Sequence, residues 1–322
     1  MLLQKSNIMS KNPVFIRMRS EIAAGTRGSS FGPLAMEWAA INDGSKIFEE
    51  NKIIDLKDQN HYLYSNVDTP NAIRIEGLVE VYNELSGAVK DELLKNENFP
   101  IVISGDHANA GGTIAGIKKA YPNKRLGVVW VDAHGDLHTP YTTPSGNVHG
   151  MPVAVSLAED NLENKINDLS DKELKHWEEL KNIGGIQPKV LPQDLVFFSV
   201  RSTEEPEDNL AVKHGIKNYG VAELRYRGLE MCLQEAEEKL SDCDLIYISF
   251  DVDSMDCDLI SYGTGTPVQK GLDQEEATAI IQHFMNLEKT ACLEFVEINP
   301  LLDNKGNRMA ETAYEVLKDL LN

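Results

Sequence analysis

From Val128 the chain runs Val-Val-Trp-Val and then Asp132-Ala133-His134-Gly135-Asp136. An apolar, strand-like stretch thus ends in Asp-x-His-x-Asp. Alternate side chains on extended backbone share a face. Asp132, His134 and Asp136 can therefore converge if the extended geometry persists past Val131. Two carboxylates and an imidazole at one point lose solvation and repel one another unless a cation lies between them. The stretch reads as half of a metal site.

Other segments offer the remainder. Phe99 to Ile103 is a strand candidate that stops at Ser104-Gly105-Asp106-His107, and Leu245 to Phe250 is another that stops at Asp251-Val252-Asp253. The last candidate, Cys292 to Ile298, contains Glu297, with Asn299-Pro300 just beyond. A lone Asp after a strand is ordinarily a turn residue or helix cap, and a lone His a satisfied core or surface group. Six such residues at strand ends (His107, Asp132, His134, Asp136, Asp251 and Asp253) are not explained that way. In open α/β sheets ligands bind beyond the carboxyl ends of the strands, so topology would bring the clusters to one edge. Carboxylates and imidazoles without thiolate suit manganese or a similar divalent ion better than structural zinc. Four carboxylates balance two such ions, which at a separation of about 3.5–4 Å would generate a hydroxide nucleophile near neutral pH. The chemistry implied is hydrolysis.

The elements that must position these residues alternate along the chain. Glu76 to Lys95 carries Leu78, Val81, Leu85, Val89 and Leu93 at helical spacing. Further helices are expected from Pro33 through Leu34, Met36, Trp38 and Ile41, and from Gly112 to Ala120. Others are expected from Ser170 to Lys181, Leu229 to Leu240, Asp273 to Leu287 and Arg308 to Leu321. Ser170 with Glu173, and Asp273 with Glu276, stand in capping-box register. Strands are expected at Lys52–Leu56, Leu126–Val131 and Leu195–Val200, besides those named. This alternation predicts an α/β fold, three-layered α/β/α with a mainly parallel central sheet, as one domain over residues 1–322. The glycine-rich run Gly25 to Pro33 lacks the lysine and spacing of a phosphate-binding loop. It is expected to pack closely against other backbone.

Composition narrows the partners. The 322 residues hold 31 Lys and Arg against 51 Asp and Glu, a formal charge of -20. That balance argues against nucleic acid and anionic membranes as partners. It suits either cationic substrates and metal ions or simple solubility. Cys232, Cys243, Cys257 and Cys292 form no Cys-x-x-Cys pair, so buried thiols in a reducing, cytoplasmic setting are expected. Met1 to Lys11 lacks the apolar core of a signal peptide, and no apolar run approaches a membrane-spanning length.

Taken together, the motifs resemble those of the ureohydrolases, the family of arginase, agmatinase and their relatives. The matching stretches are Gly105-Asp106-His107, Asp132 to Asp136, Ser145-Gly146-Asn147-Val148-His149-Gly150-Met151-Pro152, Ser249 to Asp253, Gly263 to Pro267 and Val296 to Pro300. They occur in the family's order from about residue 13 to the end. The resemblance implies one manganese held by His107, Asp132, Asp136 and Asp251 and a second by His134, Asp132, Asp251 and Asp253. Asp132 and Asp251 would bridge the two ions. A bridging hydroxide would attack the guanidinium carbon while Asp136 orients it and accepts its proton. His149 would shuttle a proton to the leaving amine, a role suited to a group titrating near neutrality. Without the resemblance His149 could equally be a loop histidine bonded to backbone. Glu297 would pair with the substrate guanidinium, with Thr266 beside it.

Within the family, the run Thr139 to Asn147 resembles the arginase loop that receives an amino acid's α-carboxylate, through Ser145 and Asn147 here. Three departures stand out. Arginases usually have asparagine where this chain has His138, which can still donate a hydrogen bond to a carboxylate or suit another substrate. They place Asp-Pro after the strand-ending arginine to hold the α-amino group, whereas this chain reads Arg201-Ser202-Thr203-Glu204-Glu205-Pro206. Read as one residue longer, that segment makes Glu205 the expected counterpart. Ala108 replaces the serine common after the first metal histidine. The expectation is a manganese-dependent hydrolase acting on L-arginine, with agmatine, guanidinobutyrate or formiminoglutamate as alternative substrates. Family habit implies a homotrimer or homohexamer. A two-metal phosphoesterase would want cations near the metals, where Glu297 would repel phosphate. A silent relative should have lost ligands, and this chain keeps all six with His149.

Overall fold

The computed structural model describes residues 11–321. Of the N-terminal stretch read above for a leader, all but Lys11 lies outside them. Eight strands form one sheet: β1 (Asn12–Met18), β2 (Lys52–Asp55), β3 (Asn98–Ser104), β4 (Leu126–Val131), β5 (Leu195–Phe198), β6 (Lys217–Tyr219), β7 (Leu245–Asp251) and β8 (Thr290–Val296). Their spatial order is β2-β1-β3-β8-β7-β4-β5-β6, and every neighbouring pair is parallel.

Strand residues alternate between two apolar layers, as a sheet covered on both faces requires. On β4, Val129 and Val131 pack into one layer, while Val128 and Trp130 pack into the other. The first layer is closed by helices Gly32–Asn42, Leu229–Lys239, Gln274–Met285 and Arg308–Leu321. The second is closed by Ile75–Leu93, Ala110–Ala120, Pro152–Leu157 and Asp171–Asn182. Both expected capping boxes form, at Ser170 with Glu173 and at Asp273 with Glu276. All four cysteines are buried free thiols. Among the described residues no helix is long and apolar enough to cross a membrane.

The sheet departs from expectation in several places. β1 and β6 were not foreseen, and neither were the helices Glu205–His214 and Val221–Arg227. The fifth strand, expected to reach Val200, stops at Phe198, because Ser199 turns into the left-handed region at φ 74°. On helix Gly32–Asn42, Trp38 and Ile41 are exposed, and Met36, Ala39 and Ala40 make the core contact instead.

Strand ends near the polar edge are held by close backbone approach. The Gly105 N–H donates to Met18 O and the Asp106 N–H to Ser20 O, at 2.8 and 3.0 Å. A Cβ at Gly105 would stand 2.2 Å from the Ser20 carbonyl oxygen. The glycine-rich run packs as expected, for a Cβ at Gly32 would lie 2.4 Å from Ile298 O. Gly105→Ala must push the β1 and β3 ends apart, an overpacking cost of about 1–3 kcal/mol. Scanning calorimetry should show a midpoint lower by several degrees, and an unshifted midpoint would refute the tight junction.

Candidate metal centre and active site

The strands that end in candidate ligands, β3, β8, β7 and β4, are consecutive in the sheet. Neighbouring strands lie about 4.8 Å apart, so side chains leaving adjacent ends can touch although the sequence separates them widely. Register completes the alignment: Val131 pairs with Phe250, and Asp251 pairs with Val296. Asp132 and Asp251 therefore leave the sheet at nearly the same level.

Each of these two carboxylates uses the same local device. Asp132 Oδ1 accepts the His134 N–H at 2.7 Å, and Asp251 Oδ1 accepts the Asp253 N–H at 2.8 Å. An oxygen so occupied fixes the carboxylate plane and leaves Oδ2 for other work. The His107 ring is fixed as firmly. It stacks on Trp130 with centroids 4.1 Å and planes 3° apart, and its Nε2 lies 2.8 Å from Ser249 Oγ. Nδ1 is then 3.0 Å from Asp132 Oδ2, 3.2 Å from Asp136 Oδ2 and 3.1 Å from Asp251 Oδ2. Despite that proximity, Nδ1, Asp132 Oδ2 and Asp136 Oδ2 are buried without a hydrogen-bond partner. Converging donor atoms that bond to nothing are what a cation site requires.

A second group adjoins the first. His134 Nδ1 lies 3.1 Å from Asp253 Oδ2 and 3.5 Å from Asp132 Oδ1. Ligand atoms of His107, Asp132 and Asp251, and separately of Asp132, His134 and Asp253, fall within 4.8 Å of one another. Asp253 Oδ1 accepts the Ala133 N–H at 3.1 Å, and Oδ2 accepts the Thr266 hydroxyl at 2.9 Å.

Burial opposes charge on all these groups. It pushes Asp136 well above the carboxylate range, reinforced by Asp132, and raises Asp251 likewise, reinforced by Asp253 and Asp132. Asp132 moves the other way, since His107 and His134 outweigh its burial and hold it low. The surrounding carboxylates raise both imidazoles against their own burial. Without a cation the cluster can relieve its repulsion only by retaining protons.

His149 and Glu297 form a separate pair beside it. His149 Nδ1 lies 3.1 Å from Glu297 Oε1, which also accepts the His107 N–H at 3.0 Å. Oε2 is buried without a partner. Burial is overcome in both: Glu297 raises the His149 pKa, and His149 lowers that of Glu297. Asp136 and Glu297 have φ of 50° and 64°, a conformation costly for residues with a Cβ.

A cleft of about 280 Å³ opens over the cluster. His107, His134, Asp136, Asp251, His149 and Thr266 line it, as do His138, Ser145 and Asn147. Glu205 does not. It is exposed at the first residue of helix Glu205–His214, and Glu204 and Glu207 line the cleft instead. These two are the helix N-cap and third residue, joined in a capping box. One helical turn puts them on a common side and Glu205 about 100° away. Trp130 and Ser249 also went unremarked in the sequence. Each lies two residues before a ligand on its own strand, but the ring they support, His107, follows β3, so only the pairing of strands reveals the contact.

A family model described as "Arginase family" matches residues 14–322. The chain belongs to the arginase family. It is 34% identical to the arginase of Bacillus subtilis (strain 168), across 97% of this chain and 98% of the relative. It is 33% identical to the arginase of Bacillus caldovelox, across 91% and 92%. The solved structure of Entamoeba histolytica arginase with L-ornithine superposes with a TM-score of 0.80 at 25% identity, covering 99% of this chain and 100% of that one. As an arginase-family member the protein is a hydrolase of C–N bonds in amidines. The two ligand groups are of the kind a binuclear metal enzyme needs.

A divalent cation should replace the retained protons, so adding one to metal-free protein should raise the thermal midpoint and release protons. Calorimetry should count two ions in the parent and lose at least one in Asp253→Asn. Equal stoichiometry in the two proteins would contradict the second group.

Proposed function

We propose that the protein hydrolyses L-arginine to L-ornithine and urea. In this reading two manganese ions are held by His107, Asp132, Asp136 and Asp251 and by His134, Asp132, Asp251 and Asp253. The observation that carries it is the His107 nitrogen surrounded by three carboxylate oxygens, all within 3.2 Å and none hydrogen-bonded to it. An oxygen-rich, thiolate-free set fits manganese. When bound, the ions supply positive charge that acidifies a water and stabilises negative charge developing in the transition state. Family likeness adds a cytoplasmic homotrimer or homohexamer to the proposal.

The chain's own groups do the rest. Glu297 Oε2 is buried and free of partners, and a Cβ at Gly265 would lie 3.4 Å from it. A glycine there keeps that oxygen uncovered for a guanidinium N–H. Thr266, bonded to Asp253, stands beside the same group. Asp136 takes the proton from the attacking water as the C–O bond forms at the guanidinium carbon. His149 gives a proton to the ornithine nitrogen as the C–N bond breaks. Ser145 and Asn147 receive the α-carboxylate. Glu204 and Glu207 face the α-ammonium in the place first assigned to Glu205.

The manganese-loaded protein should release urea from L-arginine faster than from agmatine or guanidinobutyrate, and faster than it releases formamide from formiminoglutamate. A preference for agmatine would sink the reading of the 139–152 loop. Glu297→Gln should cut turnover by about 10²-fold or more while calorimetry still finds two bound ions. Proton donation by His149 requires its charged form. Because Glu297 raises its pKa, the alkaline limb of kcat should fall above the ordinary imidazole value of about 6.5. Activity should be retained below that limb and lost as pH rises through it, and the limb should vanish in His149→Asn.

A further inference from the structure

His138 stands where the family resemblance leads one to expect asparagine, and both of its ring nitrogens face protein groups. Nδ1 lies 3.2 Å from Thr142 Oγ1. Nε2 lies 3.5 Å from Glu204 Oε2 and 3.5 Å from Glu207 Oε2. The tautomer with hydrogen on Nε2 serves both sides, accepting the Thr142 hydroxyl at Nδ1 and offering Nε2–H between the carboxylates. In that state no donor remains for a carboxylate arriving from the cleft.

The two carboxylates are held differently. Glu207 is anchored: Oε1 accepts the Leu137 N–H and Oε2 the Glu204 N–H, each at 3.1 Å. The Glu204 side chain is 56% exposed and is turned toward Glu207 through the capping box, so the imidazole meets two carboxylates that already stand together. Two carboxylates brought together repel unless positive charge or a donor lies between them. Among the residues lining the cleft none is lysine or arginine. The far end of the cleft is therefore acidic, and what it offers a distal anion is neutral: Ser145 and Asn147, with Thr143, Ser202 and Thr203 nearby.

Resting on the guanidinium hydrolysis proposed above, we infer that His138 is a positioning residue for substrate choice. By standing between Glu204 and Glu207 and offsetting their repulsion it keeps this end of the cleft a subsite for the ammonium group of a guanidino substrate. It is not a contact for the substrate carboxylate. Asparagine at this position would place its amide nearer to where Nδ1 lies and would not span the pair. Glutamine reaches about as far as Nε2.

Three compounds separate these roles in the manganese-loaded enzyme: L-arginine bears both distal groups, agmatine only the ammonium, and 4-guanidinobutyrate only the carboxylate. His138→Ala and His138→Asn should raise KM about tenfold for L-arginine and agmatine, the loss of roughly one charge-assisted contact. Their kcat should move less than threefold, and kcat/KM for guanidinobutyrate should not fall. His138→Gln should restore most of the lost affinity, and Glu204→Gln, at the exposed partner, should copy the alanine variant. A rise in KM confined to guanidinobutyrate, or an equal loss of kcat on all three compounds, would overturn the inference. Calorimetric binding of the same compounds gives the ordering whether or not urea forms. Absent turnover would then count against the proposed hydrolysis, and an ordering indifferent to His138 against the subsite.

Discussion

Mutual repulsion among four buried aspartates is the constraint to which the rest of the structure answers. Asp132, Asp136, Asp251 and Asp253 lie between 0% and 5% exposed, within reach of two imidazoles that cannot neutralise them all. A chain gains nothing in stability from such a cluster, since desolvating charge costs more than imperfect pairing returns. The fold must therefore hold the groups in place by means independent of any ion. It does so for four of them by fixing the side chain from behind. Backbone N–H groups two residues on orient Asp132 and Asp251, Ala133 orients Asp253, and Trp130 with Ser249 orients His107. What remains turned inward is a set of atoms with no protein partner.

Two members of this region also occupy uncommon backbone. Asp136 and Glu297 lie at positive φ, at a cost of about 1–3 kcal/mol each. Neighbouring backbone holds both in place. The Glu297 N–H donates to Gly105 O at 3.0 Å, and Asp136 O accepts the Ala154 N–H at 3.4 Å. The left-handed turn lets Glu297 leave the end of β8 toward His107 rather than continue the two-residue alternation, and it turns Asp136, in the loop beyond β4, toward that residue's ring. For Asp136, extended geometry alone thus does not account for convergence with Asp132.

How legible all this was depends on the physical signal each part leaves in the sequence. Interior parallel strands are covered on both faces, so β3, β4 and β7 read as largely apolar runs, and β8 as one broken by Glu294, and their ligands stand out at the ends. β1 opens on Asn12-Pro13 and carries Arg17, and β6 is Lys-Asn-Tyr at the sheet margin; neither shows such a run. Helix Glu205–His214 was missed because its N-cap is a glutamate rather than the favoured Ser, Thr, Asp or Asn. Missing the helix start is what misplaced the acidic contact by one residue. Partners such as Ser249 and Trp130 bear no chemical mark of their own. Only the register of strands tells which ligand they stand behind.

The candidate ligand groups stand at or just beyond the ends of interior strands, where any shift is resisted by neighbours on both sides. The groups that line the cleft above, by contrast, belong to the segments that follow β4 and β5: His138, Ser145 and Asn147 on the loop after β4, Glu204 and Glu207 on the first turn of the helix after β5. The two halves are therefore separable in construction. Substitutions in the outer layer can change which molecules fit while leaving the strand-end cluster beneath undisturbed.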